Sequence, residues 1–427
     1  MSTSTTAHVK SRTASRHLYR LVIAASLGNA LEWFDLLVYA YFAVTLSKLF
    51  FPAANETVSL LLTLGTFGAS YLARPLGAVV LGSYGDRAGR KASLMISILL
   101  MTVGTFLTAI MPTYASIGVV APIGILLARL MQGFSVGGEF GSSTAFLVEH
   151  GSERKGYLAS FQWAGQGLAA FLSSAFGVAL TTLLTTRQLE TWGWRLPYFF
   201  GLLIGPIGFY IRRHMEETPE FLQTKTTRTP VRDLFAQQWD RVLLAIGAVI
   251  VSTSSTYLLI YMPTYAIKQL HLPQSTGFTA TLTGATIVMF GAPMIGHWSD
   301  KVGRSRIMLA ATVLFLVSVY PVYAGLTAYP SMAVIILAVV WISILKTAYS
   351  GALPAFMAEI FPAKTRVTGL SISYNISVPL FGGFAPFYIT SLIALTRSSM
   401  APSFYMIFTA LLGLLTLLLA RTRLRIP

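Results

Sequence analysis

The sequence predicts an all-α polytopic membrane protein of about twelve transmembrane helices in two pseudo-symmetric six-helix bundles. Three observations carry this. Of 427 residues, 54% are hydrophobic and 11% are charged, where a soluble domain carries about 25% charged residues. Apolar runs of bilayer-crossing length, about 20 residues, recur along the whole chain. A charged loop, Gly82-Ser-Tyr-Gly-Asp86-Arg87-Ala-Gly89-Arg90-Lys91, returns half a chain later as Gly296-His-Trp-Ser-Asp300-Lys301-Val-Gly303-Arg304-Ser305-Arg306, each time between apolar segments. Two parallel copies of one unit are a transporter plan, with the substrate site between the halves.

Taken in order, residues 1–20 are a polar, basic N-terminal tail. The first apolar run continues straight into the core, which argues against a cleaved signal peptide. The first bundle, 21–213, holds spans expected at Leu21–Leu49, Thr57–Tyr84, Ser93–Met111, Ile117–Val148, Gly156–Leu184 and Trp194–Arg212. Residues 214–240 carry Thr218-Pro219, Thr229-Pro230 and mixed charges, and read as a linker. The second bundle, 241–421, holds spans at Val242–Ile267, Gly277–Trp298, Ile307–Leu326, Met332–Ala358, Val367–Leu395 and Phe404–Ala420, followed by a tail, 422–427. The longer spans must tilt or project from the bilayer.

The net charge of +16 would suggest nucleic acid on a soluble protein. Here the basic residues fall in alternate loops, including the N-terminal tail, the two repeated loops, 212–241 and the C-terminal tail. The positive-inside rule accounts for them and places both termini and the linker on the cytoplasmic side of the membrane, with no nucleic-acid partner. There is no cysteine, hence no disulfide framework and no thiolate metal site. No P-loop, metalloprotease or nucleophile-elbow pattern stands out, so the chain reads as no enzyme and needs no cofactor or metal.

Ionisable groups at membrane depth are costly unless paired or hydrated, and each is a functional candidate. Glu32 and Asp35 share one face of the first span, and Arg74 lies in the second. A neighbouring Pro75 and a place near the charged loop favour a packing clamp for Arg74. Arg129 and Glu139 lie in the fourth span, with Gln132 and Val136 between them on the same stripe. Two central helices thus offer opposite charges, Asp35 and Arg129, at mid-depth. Glu139 is a second candidate proton carrier or a hydrogen-bonded packing residue. Lys346, near the middle of the tenth span, has no acid close to it there, so a substrate anion is its candidate partner. Gln162 and Gln166 share a face of the fifth span. Tyr257, Tyr261 and Tyr265 form a stripe on the seventh, and Tyr374 and Asn375 lie in the eleventh. Ring stripes are more often packing than ligand contacts, but buried hydroxyls need partners. Donors of this kind suit a small organic anion.

Acidic span ends precede a basic loop in both halves, Glu149 before Arg154 and Glu359 before Arg366. Asp86 and Asp300 are placed to cap a neighbouring helix N-terminus. Arg87 and Arg90 can pair with Glu149, and Lys301 and Arg304 with Glu359. These eight residues form the expected cytoplasmic gate.

The repeated loop resembles the signature of the major facilitator superfamily. Within it, the chain is similar to the metabolite:proton symporters, through Gly28-Asn29-Ala-Leu-Glu32-Trp33-Phe34-Asp35, Arg74-Pro75-Leu76-Gly77 and Arg129-Leu-Met-Gln132-Gly133-Phe134-Ser-Val-Gly137-Gly138-Glu139-Phe140. Glu217-Thr218-Pro219-Glu220-Phe221, Ser373-Tyr374-Asn375 and Phe381-Gly382-Gly383 extend the likeness over almost the whole chain. In that group it looks most like the citrate and tricarballylate carriers. The resemblance implies a monomeric secondary transporter, driven by a proton gradient and working by alternating access. It implies that Asp35 couples to protons, with Glu32 and Glu139 as further candidates, and faces Arg129. It implies a substrate site at Arg129, Lys346, Gln162, Gln166, Tyr257, Tyr261 and Asn375, with citrate or a related tri- or dicarboxylate as cargo. When the guanidinium swings to an anionic substrate, the carboxylate it leaves binds a proton more readily, so proton and anion bind cooperatively. Shikimate, 2-oxoglutarate or a zwitterion such as proline or betaine are alternative cargoes. A non-transporting membrane sensor on the same scaffold is a remote one.

Overall fold

The computed structural model describes residues 29–30, 32–88, 90–137, 139–149, 154–213, 234, 236–362 and 365–424. Every regular element among them is helical. The first bundle comprises α1 (Glu32–Tyr41 and Ala43–Phe50), α2 (Glu56–Ala88), α3 (Arg90–Ile110), α4 (Val120–Val136 and Glu139–Glu149), α5 (Lys155–Leu183) and α6 (Leu196–Arg213). The second comprises α7 (Trp239–Lys268), α8 (Gln274–Val302), α9 (Arg304–Ala328), α10 (Met332–Ile360), α11 (Arg366–Val378, Pro379–Gly383 and Ala385–Thr396) and α12 (Ala401–Leu424). Residues 21–28, Gly89, Gly138, His150 and most of the 214–240 linker fall outside the described residues.

Three spans expected to be continuous are interrupted. α1 bends by 72° at Phe42, whose φ of −91° and ψ of 15° leave the helical region. Tyr41 and Phe42 both pack on Phe278 of α8 there, at centroid distances of 6.3 and 5.2 Å. α4 breaks at Gly137, whose N–H reaches back to the Phe134 carbonyl at 3.5 Å. α11 widens into a π turn over Pro379–Gly383. The Phe381 carbonyl inside it accepts hydrogen bonds from the hydroxyls of Tyr405 (2.7 Å) and Ser254 (3.3 Å), which satisfy the polar group the irregular turn leaves over.

Small residues set the close approaches. A Cβ on Gly133 or Gly137 would run into the backbone carbonyl of Ser70 or Arg74, so α4 lies directly against α2. α5 and α8, from different halves, run antiparallel and touch along their length. Added Cβ atoms at Gly156, Gly167 and Gly177 would meet Gly296, Met289 and Phe278 in turn. At Gly303, φ is 101°, a backbone conformation that favours glycine, and the chain there turns sharply from α8 into α9. α7 is buried over nearly all of its length and forms the centre of the second bundle.

Candidate functional site

Asp35 sits between α1, α3 and α6. Its Oδ2 accepts a hydrogen bond from the Thr105 hydroxyl, and Oδ1 is buried with no hydrogen-bond partner, facing the Cα of Gly201, where a Cβ would strike it. Asp35 and Arg129 are not in direct ion-pair contact. Gln132 and Thr105 bridge them: Arg129 Nη1 donates to Gln132 Oε1 at 2.8 Å, and Gln132 Nε2 donates to Thr105 Oγ1 at 3.1 Å. The Arg129 guanidinium lies over the rings of Tyr39 (4.6 Å) and Phe67 (5.5 Å), and its Nε and Nη2 have no hydrogen-bond partner. A buried cation held by one amide and two ring faces has donors to spare.

Lys346 lies elsewhere, on a central cavity of about 40 Å³ bounded by α1, α5, α7, α8 and α10. Its ammonium is 5.3 Å from the centroid of the Trp163 ring, and among the described residues no carboxylate is within ion-pair range. Both amide atoms of Gln166, on the same cavity, are buried without a hydrogen-bond partner, and so is the hydroxyl of Ser343, one turn from Lys346 on α10. The cavity is wide enough for a few water molecules, each needing about 10–15 Å³, and too small for a tricarboxylate.

A second cavity of about 20 Å³ lies toward the Asp300 end, and Trp33 lines both. Glu32, Gln162 and Asn375 line it, together with Arg74. Gln162 Oε1 accepts from the Thr144 hydroxyl at 2.7 Å, and Asn375 Nδ2 donates to the carbonyls of Gly137 (2.7 Å) and Ser371 (2.9 Å), tying α11 to α4. The shared helix face therefore splits, with Gln166 on one cavity and Gln162 on the other.

The tyrosine stripe lines neither cavity. Tyr257 packs edge-on against Tyr71 (5.7 Å) with its hydroxyl unpartnered, the hydroxyls of Tyr261 and Thr390 hydrogen-bond at 2.9 Å, and Tyr265 donates to the Ser399 carbonyl at 2.9 Å. The interface between α7, α2 and α11 claims the face that the periodicity left open.

Contacts among the described residues tie the two halves together at both ends. At one end Asp300 crosses to the other half and caps α5, with Oδ1 accepting from Gly156 N (2.8 Å) and Oδ2 from Tyr157 N (3.1 Å). Arg304 pairs with Asp300 at 2.7 Å and also with Glu359. Lys301 makes no ion pair among the described residues. The side chains of Asp86, Arg87, Arg90, Glu139 and Glu149 lie outside the described residues. At the opposite end Lys268 of α7 pairs with Glu56 of α2 at 2.5 Å, Gln274 reaches Thr45 at 3.3 Å, and Lys48 pairs with Glu190 at 3.4 Å.

A family profile described as "Sugar (and other) transporter" matches residues 21–240 and again 225–422. The chain belongs to the sugar (and other) transporter family of the major facilitator superfamily. The superfamily fold is evident in solved structures: the proton:xylose symporter XylE bound to 6-bromo-6-deoxy-D-glucose superimposes with a TM-score of 0.77 at 16% identity, over 97% of this chain and 96% of that one. A partially occluded inward-open XylE from E. coli gives 0.75 over 95% and 97%. Among sequence relatives, a citrate-proton symporter of Klebsiella pneumoniae is 37% identical over 399 residues, 92% of this chain and 90% of that protein. A proline/betaine transporter of Escherichia coli K12 is 32% identical over 93% of this chain and 82% of its own length.

In this major facilitator protein, two side chains of interest carried too weak a sequence signal to be singled out. Thr105 and Ser343 are hydroxyls among many, and only packing shows which face the site. Gln132 stands three residues from Arg129, a spacing that places both on one helix face without showing that the amide bridges to α3.

Proposed function

We propose that this chain is a proton-coupled symporter that carries a small organic anion, citrate or a related tri- or dicarboxylate, across the bacterial inner membrane by alternating access. The single observation behind the anion is Lys346, a buried ammonium with no carboxylate near it among the described residues, in the central cavity between the halves. A cation there is costly without a counter-charge, and an anionic cargo supplies one, with Gln166 and Ser343 as further donors. The citrate-proton symporters among the relatives, at 37% and 35% identity, support the same reading. Asp35 carries the proton, and the Thr105–Gln132 bridge links its state to Arg129. The chain acts as a monomer with both termini in the cytoplasm. Asp300, Arg304 and Glu359 close the cytoplasmic side, and they release it as the site turns inward.

The test is uptake of labelled citrate into proteoliposomes under an inside-alkaline gradient, competed with tricarballylate, 2-oxoglutarate, shikimate and betaine. Gradient-dependent citrate uptake blocked by tricarballylate is expected. The second reading is a zwitterionic osmolyte, favoured by relatives named as proline/betaine transporters. Uptake of betaine without citrate would select it.

A further inference from the structure

The second cavity contains a cation that the substrate assignment above does not use. Arg74 is 2% exposed, yet it lines this space. Its guanidinium stacks on the Tyr71 ring at 4.1 Å, and Trp33 lies 5.6 Å away. Nε and Nη2 are buried with no hydrogen-bond partner. A guanidinium offers five N–H donors in a planar fork that matches a carboxylate. Unmet donors on a buried charge are expensive unless a ligand or water completes them.

The surroundings fit a carboxylate more closely than a packing clamp. The Arg74 carbonyl lies so close to Gly137 that a Cβ there would strike it, which holds α2 against α4 at this level. Gln162 is anchored through its oxygen by Thr144, which leaves its NH2 group to donate. Glu32 on the same wall offsets part of the positive charge, which keeps the site from holding an anion too tightly to release. Trp33 forms the wall common to this cavity and the one that holds Lys346.

We propose that Arg74 forms a second carboxylate subsite on the transport path. It takes one carboxylate of a di- or tricarboxylate through its fork, while Lys346 holds another. Two cations on either side of the Trp33 indole select for substrates with at least two carboxylates, because a monocarboxylate engages one cation at a time. This inference rests on the organic-anion reading above.

The test measures citrate KM in proteoliposomes for the parent, Arg74→Gln and Arg74→Lys, together with inhibition by tricarballylate, glutarate and acetate. Losing the fork should raise citrate KM about 10- to 100-fold, the usual worth of a charge-assisted contact. It should also erase the preference for tricarballylate over acetate, which a purely structural arginine would leave intact. Arg74→Lys keeps the charge without the fork and should fall between. Citrate KM within twofold of the parent in both variants, with the preference kept, would overturn the subsite while leaving the transport function standing. A parent protein that takes up no carboxylate would overturn both. If Arg74→Gln is not monodisperse in detergent, Arg74→Lys decides alone by the same two readouts.

Discussion

Replacing Asp300 with alanine should open the molecule at that end. Its carboxylate accepts from Gly156 N and Tyr157 N at 2.8 and 3.1 Å and pairs with Arg304 at 2.7 Å. The Asp300 side chain is 10% exposed, so solvent screens these contacts little. A hydrogen bond to a charged group contributes about 1.5–3 kcal/mol, and loss of a helix cap costs about 0.5–2 kcal/mol. These contributions share one carboxylate and do not add. Arg304 also keeps Glu359. A net loss of about 2–3 kcal/mol follows, which shifts the closed-to-open ratio about 30- to 150-fold. The chain has no cysteine, so a single Ser143→Cys, on the second cavity, reports opening without background. In proteoliposomes, a membrane-impermeant maleimide applied from the Asp300 side should label Asp300→Ala at least tenfold faster than the Ser143→Cys parent. Asp300→Asn, which keeps the shape and one acceptor, should fall between. Equal labelling rates would refute the claim that this carboxylate holds the end shut.

Further outcomes are expected. Asp35→Asn should abolish accumulation against a gradient yet retain counterflow exchange of labelled substrate; accumulation that persists would remove Asp35 from coupling. Gln132→Leu and Thr105→Val cut the same bridge at successive links, so uptake measured against pH should shift in the same direction in both, and opposite shifts would break the relay. Lys346→Gln should raise citrate KM about tenfold or more while proton-independent folding, read by thermal unfolding in detergent, stays near the parent. Gly325→Ala should raise stability by about 0.5–1 kcal/mol, since nothing lies within 4 Å of the added Cβ in the α9 interior. Gly77→Ala, whose Cβ would strike the Phe134 carbonyl, should lower the unfolding temperature sharply.

What the sequence made legible follows from periods and charge. Apolar runs and alternate basic loops place the helices, and the repeated Asp-Lys/Arg-x-Gly-Arg loop shows where Asp300 meets a helix start. Lys346 stood out because no acid is near it on its span. The rest depends on rotation about helix axes, which a one-dimensional pattern leaves free. Arg74 read as a clamp until the glycine notches of α4 set the facing of α2. The stripe of Tyr257, Tyr261 and Tyr265 was visible, but the sequence could not tell which neighbour would meet it. The bend at Phe42 has neither proline nor glycine at that position; what meets it there is Phe278, from the other half of the chain.

The glycine seam between α5 and α8 bears on how much energy transport requires. A joint of interlocking large side chains would have to be unpacked at every turnover, and cores lose several kcal/mol when their fit is broken. Where glycine meets backbone, as at Gly156 against Gly296 and Gly167 against Met289, the seam can roll with little change in contact. What then separates the two end states are the ties at either end: Asp300 with the start of α5 and Arg304 at one, and Lys268 with the largely exposed Glu56 at the other. One pH unit across the membrane supplies about 1.4 kcal/mol per proton. About one to two such units are then of the same size as the Asp300 tie.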